Sequence, residues 1–355
     1  MKKNTEKSIN WINVLKALCI IFVFLRHCEN YYGLRLGWFD GIYLPFYVNA
    51  FFFVSGYLLF WKQLSEPKIL EDRRRYLTKS GSGRTLFHNI LYRIIIPSII
   101  FATIEFIPKK LIRGQQLDFS SFCIETIGGC TYWFTSALVI AELLFLILFI
   151  TRKKNIWFYF IAAIIFATVG VYLSRMNVCL VPDHSAFPWE YKQGLIATIF
   201  LTFGGVYYKY ENVVRRMLNK WVIVILTITY CYISIKYKGF LYGGYMTSMC
   251  LIHVPGVLWG VFSSILLIEF CRLIPENKVL TFIGQNSIGF YFMSGALPIT
   301  ISMVAHYIVK GSHFVLLFAD LLVCLAVAYY AVMIIMKWLP WLFDLRLLRS
   351  KVDKL

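Results

Sequence analysis

A chain of 355 residues that is 59% hydrophobic and only 15% charged, with a mean hydropathy of +0.67, is not a soluble globular domain. Its net charge of +18 does not make it a nucleic-acid binder, because the basic residues fall in clusters between apolar stretches, at Lys2/Lys3/Lys7, Lys62 to Arg84, Arg152 to Lys154, Lys209 to Lys220 and Arg346 to Lys354. That is the positive-inside pattern: both termini are expected in the cytoplasm, with the basic segments against anionic lipid headgroups. Lys109, Lys110 and Arg113 run against it, since this topology places them outside.

Ten apolar stretches follow one another, roughly at 12–32, 42–61, 90–108, 132–151, 156–173, 193–208, 221–236, 252–271, 281–308 and 314–336. The expected fold is therefore an all-α bundle of about ten transmembrane helices forming one domain over 1–355, with no appended soluble domain. The first stretch follows a polar, basic start and contains Lys16, so it reads as a retained helix and not as a cleaved signal. Lys16 and His27 lie eleven residues apart on it, close to three helical turns, which puts both on one face about 16 Å apart. Ionisable side chains inside a membrane helix are expensive and point to function by default. Lys16 can also snorkel to the inner headgroups, and His27 beside Arg26 and Glu29 can also be an interfacial polar cluster.

In the second stretch, Ser55-Gly56 suits close helix packing. Residues 62–89 read as a cytoplasmic loop, with Arg73-Arg-Arg75 and a flexible Ser80-Gly-Ser-Gly83. Arg93 opens the third stretch on the inner side, and Glu142 lies at mid-depth in the fourth, where it either pairs with a basic residue or serves a site. Glu105 and Asp320 are similar but nearer span ends. The external segment from Asn177 to Glu190, with Pro182-Asp-His184 and Pro188-Trp-Glu190, reads as a loop with interfacial aromatics or as a contact for a surface substrate. Asn286, Ser287 and Tyr291 follow in the ninth stretch, while His253 and His306 sit near outer helix ends. The nine cysteines show no metal-ligand spacing and no metal is expected. Cys123, Cys130 and Cys179 fall on the external side, and most of the others read as small apolar packing residues.

Several short motifs, taken in order, resemble the membrane-bound acyltransferase-3 family. Trp11-Ile-Asn13-Val-Leu15-Lys16 followed by His27 is similar to that family's first-helix signature of an acidic residue, an arginine and, eleven residues on, a histidine. Phe51-Phe-Phe-Val-Ser55-Gly56-Tyr57 resembles its second-helix Phe-Phe-x-x-Ser-Gly motif. Asn89-Ile-Leu-Tyr-Arg93-Ile-Ile-Ile-Pro97 resembles its double-arginine-and-proline motif, and Tyr132-Trp133-Phe134 with Leu138 its Trp-Phe-x-x-x-Leu pattern. Gly284-Gln-Asn286-Ser287-Ile-Gly289-Phe-Tyr291 resembles its late Gly-x-x-Ser-x-x-x-Tyr helix. The chain departs from the pattern at Asn13 for the acid, Lys16 and Asn89 for arginines, and Ser294 for a late histidine. Lys16 keeps the charge without the planar fork of arginine.

The resemblance implies an O-acyltransferase of the plasma membrane. It would carry an acetyl group from cytoplasmic acetyl-CoA to a hydroxyl of a surface or lipid-linked glycan, alongside envelope-glycan synthesis machinery. Lys16 and Arg93 would face the compartment of the donor, whose phosphates suit cationic partners. Ser55, Asn286, Ser287 and Tyr291 would line the donor's path, the last three having interhelical hydrogen bonding as their other role, with Glu142 beside the chemistry. His27 would act as general base or as carrier of the acyl group, and the residues leave both open. Two other classes remain: an exporter or flippase of a surface polysaccharide, and a scaffold subunit in which Lys16 and His27 are freely replaceable.

Overall fold

The computed structural model describes residues 2–64, 82–151, 155–176, 188–237, 254–308 and 312–347, and every regular element among them is helical. In chain order the helices are α1 (Lys2–Tyr32), α2 (Trp38–Tyr43), α3 (Asn49–Leu64), α4 (Ser82–Ile90), α5 (Ile96–Ile112) and α6 (Phe119–Phe122). There follow α7 (Trp133–Ile150), α8 (Ile156–Arg175), α9 (Tyr191–Met217), α10 (Lys220–Lys236), α11 (Val254–Leu273), α12 (Lys278–Gln285), α13 (Ser287–Met293), α14 (Ala296–Ile308) and α15 (His313–Trp338). Arg73 to Arg75, Cys179, Pro182 to His184 and His253 lie outside the described residues, as does the side chain of His306.

Among the described residues six helices are long and apolar enough to cross a membrane, or up to eight if each of two bent pairs counts as one span. The expected ten differs from this for local reasons. The stretch at 42–61 yields a helix of only 16 residues, α3, preceded by turns and the short α2. Between α9 and α10 the chain bends by 105°. There Asn219 accepts the Trp221 and Val222 N–H groups, both at 3.0 Å, and so starts a new helix instead of extending the old one. The stretch at 281–308 breaks at Asn286 and again between Met293 and Ala296, where α13 and α14 are bent by 48°. Apolar residues continue through each break, so hydropathy does not register it.

The end of the expected loop at 62–89 is also helical: α4 runs through a π turn at Leu91–Ile95 into α5. Pro97 accounts for the turn. It has no N–H for the Arg93 carbonyl, and its ring crowds that carbonyl, so the helix widens just before it.

The chain divides into two compact units. The first comprises Met1–Phe51, Asn212–Tyr242 and Val254–Leu339. Its centre is α1, which packs against α11, α12, α13, α14 and α15. Val14, Leu15, Ala17, Cys19, Ile20 and Phe24 of α1 are at most 1% exposed, as expected of a helix covered on all sides. At Gly284 the backbone of α12 meets the Asn13 carbonyl so closely that a Cβ would overlap it. Near this crossing the Arg272 guanidinium lies 4.6 Å from the Trp11 ring. Elsewhere, Tyr230 donates to the Ile42 carbonyl (2.6 Å) and Trp259 donates to Ser234 (2.9 Å), tying α10 to the α2 segment and to α11.

The second unit comprises Phe52–Glu211, Gly243–His253 and Pro340–Leu355. Here α3 and α9 cross in contact, because a Cβ at Gly56 would overlap the Leu201 carbonyl and one at Gly204 the Phe53 carbonyl. This bears out close packing at Ser55-Gly56. Phe60, Phe145, Phe149 and Tyr159 form an aromatic cluster beneath that crossing, with centroids 5.0–6.4 Å apart. The segment after Trp338 folds back: Phe343 stacks on Phe101 at 5.3 Å, and the Leu345 N–H donates to the Tyr92 carbonyl at 3.2 Å.

Candidate active site

Lys16 and His27 occupy one uninterrupted helix, both half-buried, so their placement on one face of α1 holds. Gly284 packs on Asn13, one turn before Lys16, and the break at Asn286 follows two residues later. Asn286 is the hinge between α12 and α13. Its Nδ2 donates to the Phe282 carbonyl at 2.9 Å, and its own carbonyl receives the Gly289 N–H at 2.9 Å. Ser287 opens α13, and Tyr291 lies one turn further, half-buried. Ser294 is buried and donates to the Tyr291 carbonyl at 2.7 Å.

The end of α1 that carries His27 is built into a polar network. Arg26 pairs with Glu29 at 3.0 Å, and Glu29 also receives the Tyr43 hydroxyl at 2.7 Å. Tyr43 is held there by its ring, which stacks on Phe22 of α1 at 5.2 Å and 10°. Asp40, buried in the first turn of α2, lies within electrostatic range of Glu29. Glu29 Oε1 and Asp40 Oδ1 meet no donor among the described residues. Cys28 hydrogen-bonds Cys324, and Tyr32 donates to Asp320, which joins α1 to α15 on its other side. Two carboxylates with unfilled acceptor positions and a histidine thus share the last two turns of α1 and the short α2.

Asp40 and Tyr43 are absent from the sequence-based set, and Asp320 ranks low in it. Periodicity identifies faces of long helices but not the fold-back of a six-residue helix between two of them. An acid and a tyrosine three apart, next to an aromatic-rich span end, was the available signal.

In the second unit Arg93 and Glu142 belong to one charged group. Arg93 lies 3.5 Å from Asp344, which also pairs with Arg346 at 2.5 Å. Arg346 reaches across to donate to Asn89, one helical turn before Arg93. Lys62, at the end of α3, lies within electrostatic range of Arg93, Arg346 and Glu142. Burial pushes the Asp344 carboxyl up, but Arg346, joined by Arg93, outweighs it and holds it below the usual carboxylate range. Arg346 therefore sets a second guanidinium beside the helix that carries Arg93. Ser55 stands half-buried on α3 of the same unit. Elsewhere in this unit Lys110 and Lys109 both bind the Glu125 carboxylate, at 2.8 and 3.6 Å, which partly neutralises the basic residues that oppose the positive-inside pattern.

The described cysteines are unpaired thiols; Cys19, Cys28, Cys271 and Cys324 are buried as packing residues. Among the described residues no group of three His, Cys, Asp or Glu side chains is arranged to hold a metal ion.

A family model described as an acyltransferase domain matches residues 9–338, nearly the whole chain. Searches of curated proteins and of solved structures return no match.

Proposed function

Because the chain belongs to the acyltransferase-3 family, we propose that it is a plasma-membrane O-acyltransferase that carries an acetyl group from cytoplasmic acetyl-CoA to a hydroxyl of a surface or lipid-linked glycan. The observation that carries the reading is His27, on the central helix of the first unit in a chain matched by that family over residues 9–338. A neutral imidazole can take the acceptor's hydroxyl proton. The oxygen then attacks the thioester carbonyl, the C–S bond breaks, and coenzyme A leaves as its thiolate, to be protonated. In the other form of the reaction His27 accepts the acetyl group first and hands it to the sugar. Arg93, Arg346 and Lys62 of the second unit supply cationic partners for the donor's phosphates, and exposed guanidinium groups suit that task. Envelope-glycan synthesis enzymes are the expected partners.

The test is the O-acetyl content of the surface polysaccharide, read by NMR in a deletion strain complemented with wild type or His27→Ala at matched expression. Acetyl restored by wild type alone supports the assignment, with transfer falling by at least about 10²-fold in the variant. Equal restoration by both makes His27 structural.

One structural feature favours the exporter as a second reading. The α12–α13–α14 segment is discontinuous, with polar Asn286 at its first break, a device transporters use at substrate sites. Release of free coenzyme A on adding acceptor separates an enzyme from an exporter.

A further inference from the structure

Before α9 the backbone turns through two consecutive left-handed residues, Trp189 at φ 54° and Glu190 at φ 48°. Large L side chains rarely adopt this conformation, and where they do the surrounding structure enforces it. Here the Trp189 N–H donates to the Gly128 carbonyl at 2.7 Å, and the Glu190 carbonyl receives the Gly194 N–H at 2.8 Å. Gly129, itself at φ 72°, leaves room for the tryptophan; a Cβ there would come within 3.0 Å of the ring. The Gly129 carbonyl is fixed in turn by the buried Ser136 hydroxyl at 2.6 Å.

The strained turn sets out a defined group of polar atoms. Glu190 is 7% exposed, Lys192 4% and Gln193 6%. Glu190 opens the first turn of α9, so Gln193, three residues on, shares its face. Gln193 Oε1 meets no donor among the described residues, which is costly for a buried amide oxygen. Trp189 directly precedes them in the turn and is partly exposed. The surroundings are acidic: burial, and then the charges of Glu190 and Glu125, push the neighbouring Cys130 thiol up to about 12. An aromatic face flanked by hydrogen-bond acceptors selects a ligand with apolar C–H edges and many hydroxyl donors. It disfavours an anion, for which Lys192 alone offers a charge among these three buried side chains.

We propose that this turn is a carbohydrate-binding subsite, in which Trp189 stacks on a pyranose ring while Glu190 and Gln193 Oε1 accept hydrogen bonds from its hydroxyls. The proposal rests on the glycan-acylating reading for its purpose and names where the acceptor sugar is held. By the positive-inside pattern the turn faces the exterior, the side where a surface glycan arrives.

The experiment is saturation-transfer NMR on the full chain in lipid nanodiscs, with p-nitrophenyl β-glucoside, β-galactoside and N-acetyl-β-glucosaminide as probes. Wild type should give saturation transfer to at least one glycoside, and Glu190→Gln and Trp189→Leu should each weaken that binding about tenfold, as loss of a hydrogen-bonded or stacking contact does. Glu190→Gln keeps the shape of the side chain; if it is not recovered folded, Trp189→Leu decides by itself. No saturation transfer to wild type, or equal binding by wild type and the decisive variant, overturns the subsite. A parallel acetyl-transfer assay separates the two readings. Binding without transfer sinks the acyltransferase reading and leaves the subsite, whereas transfer with binding unchanged in the variants sinks the subsite alone.

Discussion

The charged group around Arg26 and the one around Arg93 use the same residue types to opposite ends. In the first, the Glu29 carboxylate is wholly buried and Arg26 is 19% exposed, with Tyr43 closing the network. In the second, Arg93 is 52% exposed and Arg346 42%, and both share one carboxylate, Asp344. A buried ion pair is held by desolvation, since either partner alone would be a stranded charge. An exposed pair is worth about 0–1 kcal/mol and can be exchanged for another anion at little cost. The buried group therefore fixes the end of α1 that carries His27, and the exposed group leaves Arg93 and Arg346 open to solvent, as the proposed donor-binding role requires.

Breaking the buried group should have the largest effect. Glu29→Ala strands Arg26 and removes the acceptor of Tyr43, and is expected to cost about 3–5 kcal/mol in reversible unfolding from mixed micelles. A variant as stable as wild type would mean that Arg26 reaches water and that the contrast is false.

Glu190 tests the case between the two groups, a buried carboxyl without a compact ion pair. Burial pushes it up to about 7 from an ordinary value of 4.5, and the charge of Lys192 only partly opposes that. A raised carboxyl binds its proton more tightly when folded, so between pH 4.5 and 7 stability falls as pH rises, and above 7 the loss is complete. The total is on the order of 3 kcal/mol. Glu190→Gln should flatten that part of the stability–pH curve and match wild type near pH 4.5. An unchanged slope would show that the carboxyl is solvated.

Arg93→Ala should do least to the fold, shifting stability by no more than about 0.5 kcal/mol, yet raise the acetyl-CoA KM about tenfold, with the difference shrinking in high salt. A salt-independent loss of stability would place Arg93 with the buried group instead.

What the sequence made legible was whatever repeats along one helix. The shared face of Lys16 and His27 needs only the helical period, and the structure keeps it. Close packing at Ser55-Gly56 is likewise a local matter of a missing Cβ, and it holds at the crossing with α9. Contacts between distant segments were hidden: nothing at Asn89 announces that Arg346 will reach it. The breaks at Asn286 and Asn219 were hidden for another reason. A capping asparagine inside an apolar run alters hydrogen bonds but hardly alters hydropathy. Trp189 and Glu190 were legible only as part of an external loop, with interfacial aromatics or a surface contact, because their left-handed backbone depends on Gly128 and Gly129 some sixty residues earlier.

The π turn at Leu91–Ile95 gives α4 and α5 a mechanical relation that a straight helix would lack. One residue advances an α-helix by about 100°, so the extra residue sets the two halves of this span out of phase by that angle. Removing one residue between Leu91 and Ile95 would restore an even winding and swing α4 round as a body, carrying Asn89 away from Arg346. Segment 91–95 thus works as a phase adjuster, a single-residue setting on which the aim of a whole cationic group turns.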